Sequence, residues 1–182
     1  MKCEIFIFNN GKADYYPPSQ DVVVLLKIIS LERSGKSWMK KDLADSLNLA
    51  NSEITNVFDR LKYTGLIMPG INRVQRLNFY EYLVYGLKAT FPPFVGAETR
   101  GLVTASGAIP ESNISGSDYV WPHAKGKIKG TSIVPLYSEI VHACENDKDL
   151  YFALSACEML RVGRVREVNF ARQWLKNLIV GE

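Results

Sequence analysis

Apolar residues recur at helical spacing twice in quick succession between Lys40 and Lys62, in KKDLADSLNLANSEITNVFDRLK. Leu43, Ala44 and Leu47 line one face of a first short helix. Ile54, Val57, Phe58 and Leu61 line one face of a second. Leu49 closes the turn between them. Asn48 sits where the chain must reverse, and asparagine tolerates the left-handed conformation better than most residues. The helices are expected to cross closely at Ala44, where a larger side chain would hold them apart. Ahead of this unit, DVVVLLKIISLE (Asp21 to Glu32) reads as another helix.

Beyond Ile67 the pattern changes. Pro69 and Gly70 make a turn, and Asn72 is expected to cap a long helix from about Arg73 to Phe91. Leu77, Tyr80, Val84, Leu87 and Phe91 form one stripe on it, and Val74, Phe79, Tyr82, Leu83 and Tyr85 make much of the remaining surface apolar. A helix apolar nearly all round is buried on more than one side. It is read either as a core helix between two domains or as a helix whose second side meets another subunit. Pro92 and Pro93 end it.

Residues 95–118 are rich in Gly, Ala, Ser and Thr without clear periodicity, and are expected to form a long irregular loop. Tyr119 to Trp121 and Lys127 to Val134 are expected to form a small hairpin. Three helices follow, over Ser138 to Cys144, Asp149 to Leu160 and Arg164 to Val180. The last shows an apolar stripe at Val168, Ala171, Leu175 and Leu178. At the other end, KCEIFIFNNGKADYY reads as a strand, an Asn-Gly turn and a return strand.

The fold class expected is therefore mainly α with small β elements, that is α+β. The organisation expected is a hairpin-like segment over 1–18, a helical domain over 19–91 and a mostly helical region over 92–182.

The unit Lys40 to Lys62, with the helix before it, the lead SWMKKDLADSL and the exit RLKYTGLI, resembles the winged-helix regulators of bacteria, MarR-like in the broad sense. The resemblance covers residues 21–68. It implies a helix-turn-helix whose second helix enters the DNA major groove. The sequence after Ile67 leaves room for a reduced wing or none. Such units also serve as protein-docking modules, so the fold by itself does not carry the function.

On the second helix, Asn51, Ser52, Thr55, Asn56, Asp59 and Arg60 are expected on the solvent side. Asparagine pairs bidentately with adenine, hydroxyls reach bases or phosphates, and arginine reaches guanine or phosphate. The blander reading is a solvated face, with Asn51 or Ser52 capping and Glu53 favouring the helix dipole. Lys36, Ser37, Lys40 and Lys41 precede the first helix and are placed to hold phosphates. Lys125, Lys127 and Lys129 alternate in KGKIKG and point to one side of an extended chain. That ridge either touches the DNA backbone, with Lys127 at its centre, or is a solvated edge strand guarded against aggregation. Arg161, Arg164, Arg166 and Arg172 form another basic cluster, read as protein contacts or local ion pairs with Glu158 and Glu167.

Composition narrows the classes. The chain has 182 residues, 22 Lys and Arg against 19 Asp and Glu, and a net charge of +3. That permits nucleic-acid binding without demanding it. Met1 to Phe8 lacks the basic lead and apolar length of a secretory signal, and no run approaches a membrane span. Cys3, Cys144 and Cys157 are widely separated, which argues for reduced thiols and a cytoplasmic protein. His123 and His142 sit in no nucleophile or metal-ligand pattern, so neither an enzyme, a cofactor nor a metal is expected. The function expected is a dimeric, sequence-specific regulator of transcription, a repressor, on double-stranded DNA. The rival is a protein-interaction subunit, such as an antitoxin or an enzyme's accessory partner, working through 92–182.

Overall fold

The computed structural model describes residues 18–114 and 119–181. The N-terminal hairpin expected from the sequence lies outside the described residues, as does Cys3.

Helix α1 (Ser19–Arg33) is buried along its length, from Asp21 to Ser30. Its run VVVLLKII is apolar but for Lys27, as suits a helix enclosed by others. Helices α2 (Lys40–Leu47) and α3 (Asn51–Tyr63) pack against it. Asn48 ends α2 in the left-handed conformation, with φ of 52°, and the Leu49 amide donates back to the Ala44 carbonyl at 2.9 Å. That reversal turns the chain sharply into α3. Ala44 is 2% exposed at the crossing. Leu43, Leu47, Ile54, Val57, Phe58 and Leu61 are all fully buried, so both expected stripes face one core.

After α3 come β1 (Ile67–Met68) and β2 (Arg73–Val74), paired antiparallel as Ile67 with Val74 and Met68 with Arg73. Gly70 and Asn72 take positive φ of 88° and 51° in the connecting turn. Asn72 is therefore a hairpin residue and not the expected helix cap. The helical stretch over 76–90 begins three residues later than expected. It comprises α4 (Arg76–Glu81), a π-helical turn (Tyr82–Gly86) and α5 (Leu87–Thr90). Its buried stripe is Phe79, Leu83 and Leu87, whereas Leu77 and Tyr85 are 55% and 78% exposed. The enclosed apolar helix is α1, not this one.

The stretch expected as an irregular loop contains β3 (Val95–Thr104), a ten-residue strand. It is followed by two short 3-10 turns, Ala105–Ala108 and Pro110–Ser112. β4 (Tyr119–Pro122) and β5 (Ile128–Ile133) do not form a simple hairpin. β4 pairs antiparallel with the end of β3, Leu102 opposite Trp121, while β5 pairs with its beginning, Arg100 opposite Lys129. A short parallel contact, Tyr119 with Thr131, closes the three strands on themselves. Small residues had hidden the strand. A Cβ on Gly101 would stand 2.1 Å from the Trp121 carbonyl oxygen, so this glycine is present for backbone contact rather than for flexibility.

α6 (Ile140–Cys144), α7 (Lys148–Val162) and α8 (Val165–Ile179) complete the chain close to their expected positions. α7 is the second enclosed helix and lies against α1. Lys27 and Ser30 of α1 both donate to Asp147, at 2.8 and 2.6 Å. Tyr137 donates to the Leu47 carbonyl at 2.7 Å, and Arg76 to that of Ile179 at 2.8 Å. These bonds tie the first half of the chain to the second.

Arg161 makes the local ion pair with Glu158 that the sequence suggested, and makes it in the interior. It is 4% exposed and holds both oxygens of Glu158, at 2.9 and 2.7 Å. It also donates to the carbonyl of Phe91 at 2.9 Å. Glu158 accepts in addition from the Trp121 indole at 3.1 Å. Burial pushes the Glu158 carboxyl up to about 6, against the opposing pull of Arg161 and Trp121. This node pins the strand layer to α7.

Candidate nucleic-acid interface

The buried underside of α3 fixes what its other side presents. With Ile54, Val57, Phe58 and Leu61 inside, Asn51, Ser52, Thr55, Asn56 and Asp59 are all exposed. They follow one another at helical spacing and form a continuous polar strip. Neither Asn51 nor Ser52 caps the helix: its N-cap is Ala50, with no side-chain cap bond. The Thr55 hydroxyl donates to the Asn51 carbonyl at 3.1 Å, which leaves its oxygen free to accept. Glu53 stands in the first turn, favourable to the dipole.

Arg60 departs from the expectation. Its guanidinium turns away from that strip and donates to both oxygens of Asp21, at 2.9 and 2.7 Å. A third bond reaches Glu53 at 3.2 Å. Burial raises the Asp21 carboxyl above its ordinary range, against the pull of Arg60. The Asp21 hydrogen bond pushes Arg60 upward. Both directions describe one carboxylate that burial would neutralise and a guanidinium that keeps it charged. Asp21 lies 39 residues away in sequence, and nothing local advertises the pair.

The lead into α2 supplies the flanking cations. Lys36, Ser37 and Lys41 are exposed. Lys40 lies over the Phe58 ring, 4.9 Å from its centroid, and Trp38 packs on the same ring with centroids 6.0 Å apart. An aromatic anchor thus fixes the segment while its ammonium groups stay near the surface. On the other flank, the β1–β2 turn exposes Ile71, at 64%, and Arg73. Arg73 was absorbed into the expected helix. The signal for a hairpin there was the Pro-Gly turn between Met68 and Ile71.

Lys127 stands on a different element. It is exposed beside β5, in the strand layer that packs on α7 through the 3-10 turn Ala105–Ala108. The expected residues therefore fall on α2 and its lead, on α3, where Arg60 is engaged by Asp21 and Glu53, and, for Lys127, beside β5.

Burial pushes the Cys144 thiol up to about 12 and raises Cys157 further, which disfavours the nucleophilic thiolate. His142 lies 3.5 Å from Glu145 on the surface. Among the described residues no group of three or more His, Cys, Asp or Glu side chains is arranged to hold a metal ion. No described helix is long and apolar enough to cross a membrane.

No protein-family model, curated protein or solved structure matches the chain.

Proposed function

We propose that this protein is a sequence-specific double-stranded DNA-binding regulator of the winged-helix type, acting as a dimer to repress transcription in the cytoplasm. The observation that carries the reading is the strip Asn51, Ser52, Thr55 and Asn56, exposed along a helix whose opposite side is wholly buried. Such a strip matches base edges in the major groove, where Asn and hydroxyl side chains are direct readers. Lys36, Ser37, Lys40 and Lys41 flank it on the α2 side and would hold phosphates there. The β1–β2 hairpin serves as a reduced wing, with Arg73 as its cation. Leu77 and Tyr85, exposed on one side of the 76–90 helix, supply apolar area for a second copy. A dimer doubles the contacts and presents the strip twice to a palindromic site.

Fluorescence anisotropy against the protein's own upstream DNA and a scrambled duplex, across a salt series, tests this. Tight binding to the upstream duplex alone, weakening with salt, is the expected result. Equal weak binding to both, or none, would overturn it.

A second reading has its own observation. Phe94 and Val134, 69% and 52% exposed, are joined by a 3.0 Å backbone hydrogen bond at one end of the strand layer. That apolar pair favours a protein partner docking on 92–182, as for an antitoxin or an enzyme's accessory subunit. Co-purification of a stoichiometric partner, with no DNA bound by either form, would select it.

A further inference from the structure

The three-strand layer meets α6 and α7 along a recess of about 330 Å³. Its walls include Leu102 on β3, Ile128 on β5, Val141 on α6 and Tyr151 on α7. Its rim carries His123, Lys125 and Lys127, all from the loop between β4 and β5. The lining thus combines apolar side chains with two lysine ammonium groups.

The loop that supplies the cations is built rigidly. The His123 amide donates to the Arg100 carbonyl at 3.2 Å, and the Gly126 amide to the His123 carbonyl at 2.9 Å. Gly126 lies so close to β3 that a Cβ there would stand 2.4 Å from the Gly101 backbone. Two glycines in backbone contact hold the loop against the strand, and the side chains on either side of Gly126 are the two rim lysines. The Tyr151 hydroxyl donates to the Val103 carbonyl at 2.5 Å and fixes the far wall.

Lys125 and Lys127 bring two positive charges into this lining, and among the described residues no carboxylate forms an ion pair with either. An anion in the recess would meet both.

We propose that this recess binds a small amphipathic organic anion, with its apolar body against Leu102, Ile128, Val141 and Tyr151 and its charged group on His123, Lys125 and Lys127. A mixed lining of apolar walls and a few convergent polar groups is the usual composition of a small-molecule site. A nucleic-acid backbone would use the lysines but has no group to cover the apolar side chains. The site shares no residue with the exposed strip of α3 or the lead into α2, so it stands whether or not the protein binds DNA.

The test uses the full chain with anilinonaphthalene sulfonate, whose fluorescence rises in apolar surroundings, and its neutral analogue phenylnaphthylamine. A single saturable site for the sulfonate is expected. Replacing the rim lysines together (Lys125→Ala with Lys127→Ala) should weaken the sulfonate by about tenfold or more and leave the neutral probe unchanged. Ile128→Glu, at a 47% exposed position, should weaken the sulfonate similarly without lowering the melting temperature. Absence of a saturable site, or sulfonate binding indifferent to both variants, would overturn the proposal. So would a double lysine variant that only flattened the salt dependence of DNA binding, which would make the rim a phosphate contact.

Discussion

Arg60 on α3 grips Asp21 on α1 through both carboxylate oxygens, and Asp21 is 1% exposed. The pair crosses from α3 to α1, the helix beneath it. It therefore sets the angle at which the polar strip of α3 leaves the core. Removing one partner strands the other in low dielectric. Arg60→Ala is expected to destabilise the fold by about 3–5 kcal/mol, whereas the paired change Asp21→Asn with Arg60→Met should recover most of that loss. Urea denaturation of the variants checks it. If Arg60→Ala alone left the midpoint unmoved, the pair would not be holding α3.

The exposed strip makes the opposite prediction. Thr55→Ala with Asn56→Ala removes no buried contact, so the melting temperature should stay within a degree or two of the parent, as is usual for surface changes. On the proposed DNA-binding reading, affinity for the operator should fall by roughly 5- to 150-fold, since one bidentate side chain–base pair, of the kind Asn56 can make, is worth about 1–3 kcal/mol. Lys36→Ala with Lys41→Ala should act differently, reducing the slope of log affinity against log salt by about 2. Anisotropy titrations on operator and scrambled duplexes separate the effects. Unchanged affinity in the Thr55/Asn56 variant would remove that helix from the interface.

The unit Lys40 to Lys62 was legible because local signals agree there. Both apolar stripes, the Asn48 reversal and the small Ala44 specify one arrangement, and all appear in the fold. The inward turn of Arg60 was not legible, because its partner is distant in sequence and an arginine on a helix surface looks the same whether paired or free. β3 was hidden for another reason. In VGAETRGLVT its glycines replace side-chain alternation by backbone contact, so no period-two pattern survives. The start of the 76–90 helix was misplaced because Arg73 and Val74 fit a helical stripe as well as a two-residue strand. The recess above α7 left no trace in local periodicity, since its lining comes from five separate elements or loops: β3, the β4–β5 loop, β5, α6 and α7.

Stability should depend on pH with two opposed limbs. Burial alone would raise the Asp147 carboxyl, but hydrogen bonds from Lys27, Ser30 and the Leu150 amide outweigh it and hold the group below its ordinary value of 3.8. Its folded value lies below its unfolded one, so its contribution is complete above the unfolded value and is lost as pH falls through the folded one. Glu158 behaves inversely. Burial lifts it to about 6 from 4.5, the folded state holds the proton more tightly, and its contribution falls as pH rises from about 4.5 through 6. Chemical denaturation followed downward from neutral pH should show a shallow rise as pH falls from about 6 to about 4.5, then a drop that sets in below about 3.8. Glu158→Gln should flatten the rise, and Asp147→Asn should flatten the drop. A monotonic profile unaffected by either change would refute both assignments.

The backbone contact between Gly101 and Gly126 predicts a change that no side-chain inventory would suggest. A methyl group on Gly101 would enter the Trp121 carbonyl at 2.1 Å, and one on Gly126 would enter the backbone of Gly101 at 2.4 Å. Neither obstacle is the end of a flexible side chain, so the strands themselves must separate. Gly101→Ala and Gly126→Ala are each expected to cost at least about 1–3 kcal/mol, the ordinary range for overpacking. The Gly126 change should also displace Lys125 and Lys127 from the rim of the recess, while the α2–α3 surface stays intact. Thermal unfolding followed by circular dichroism measures the cost, and operator binding below the transition measures the independence of the two surfaces. A Gly126→Ala protein that melted with the parent would mean that the loop does not lie against β3.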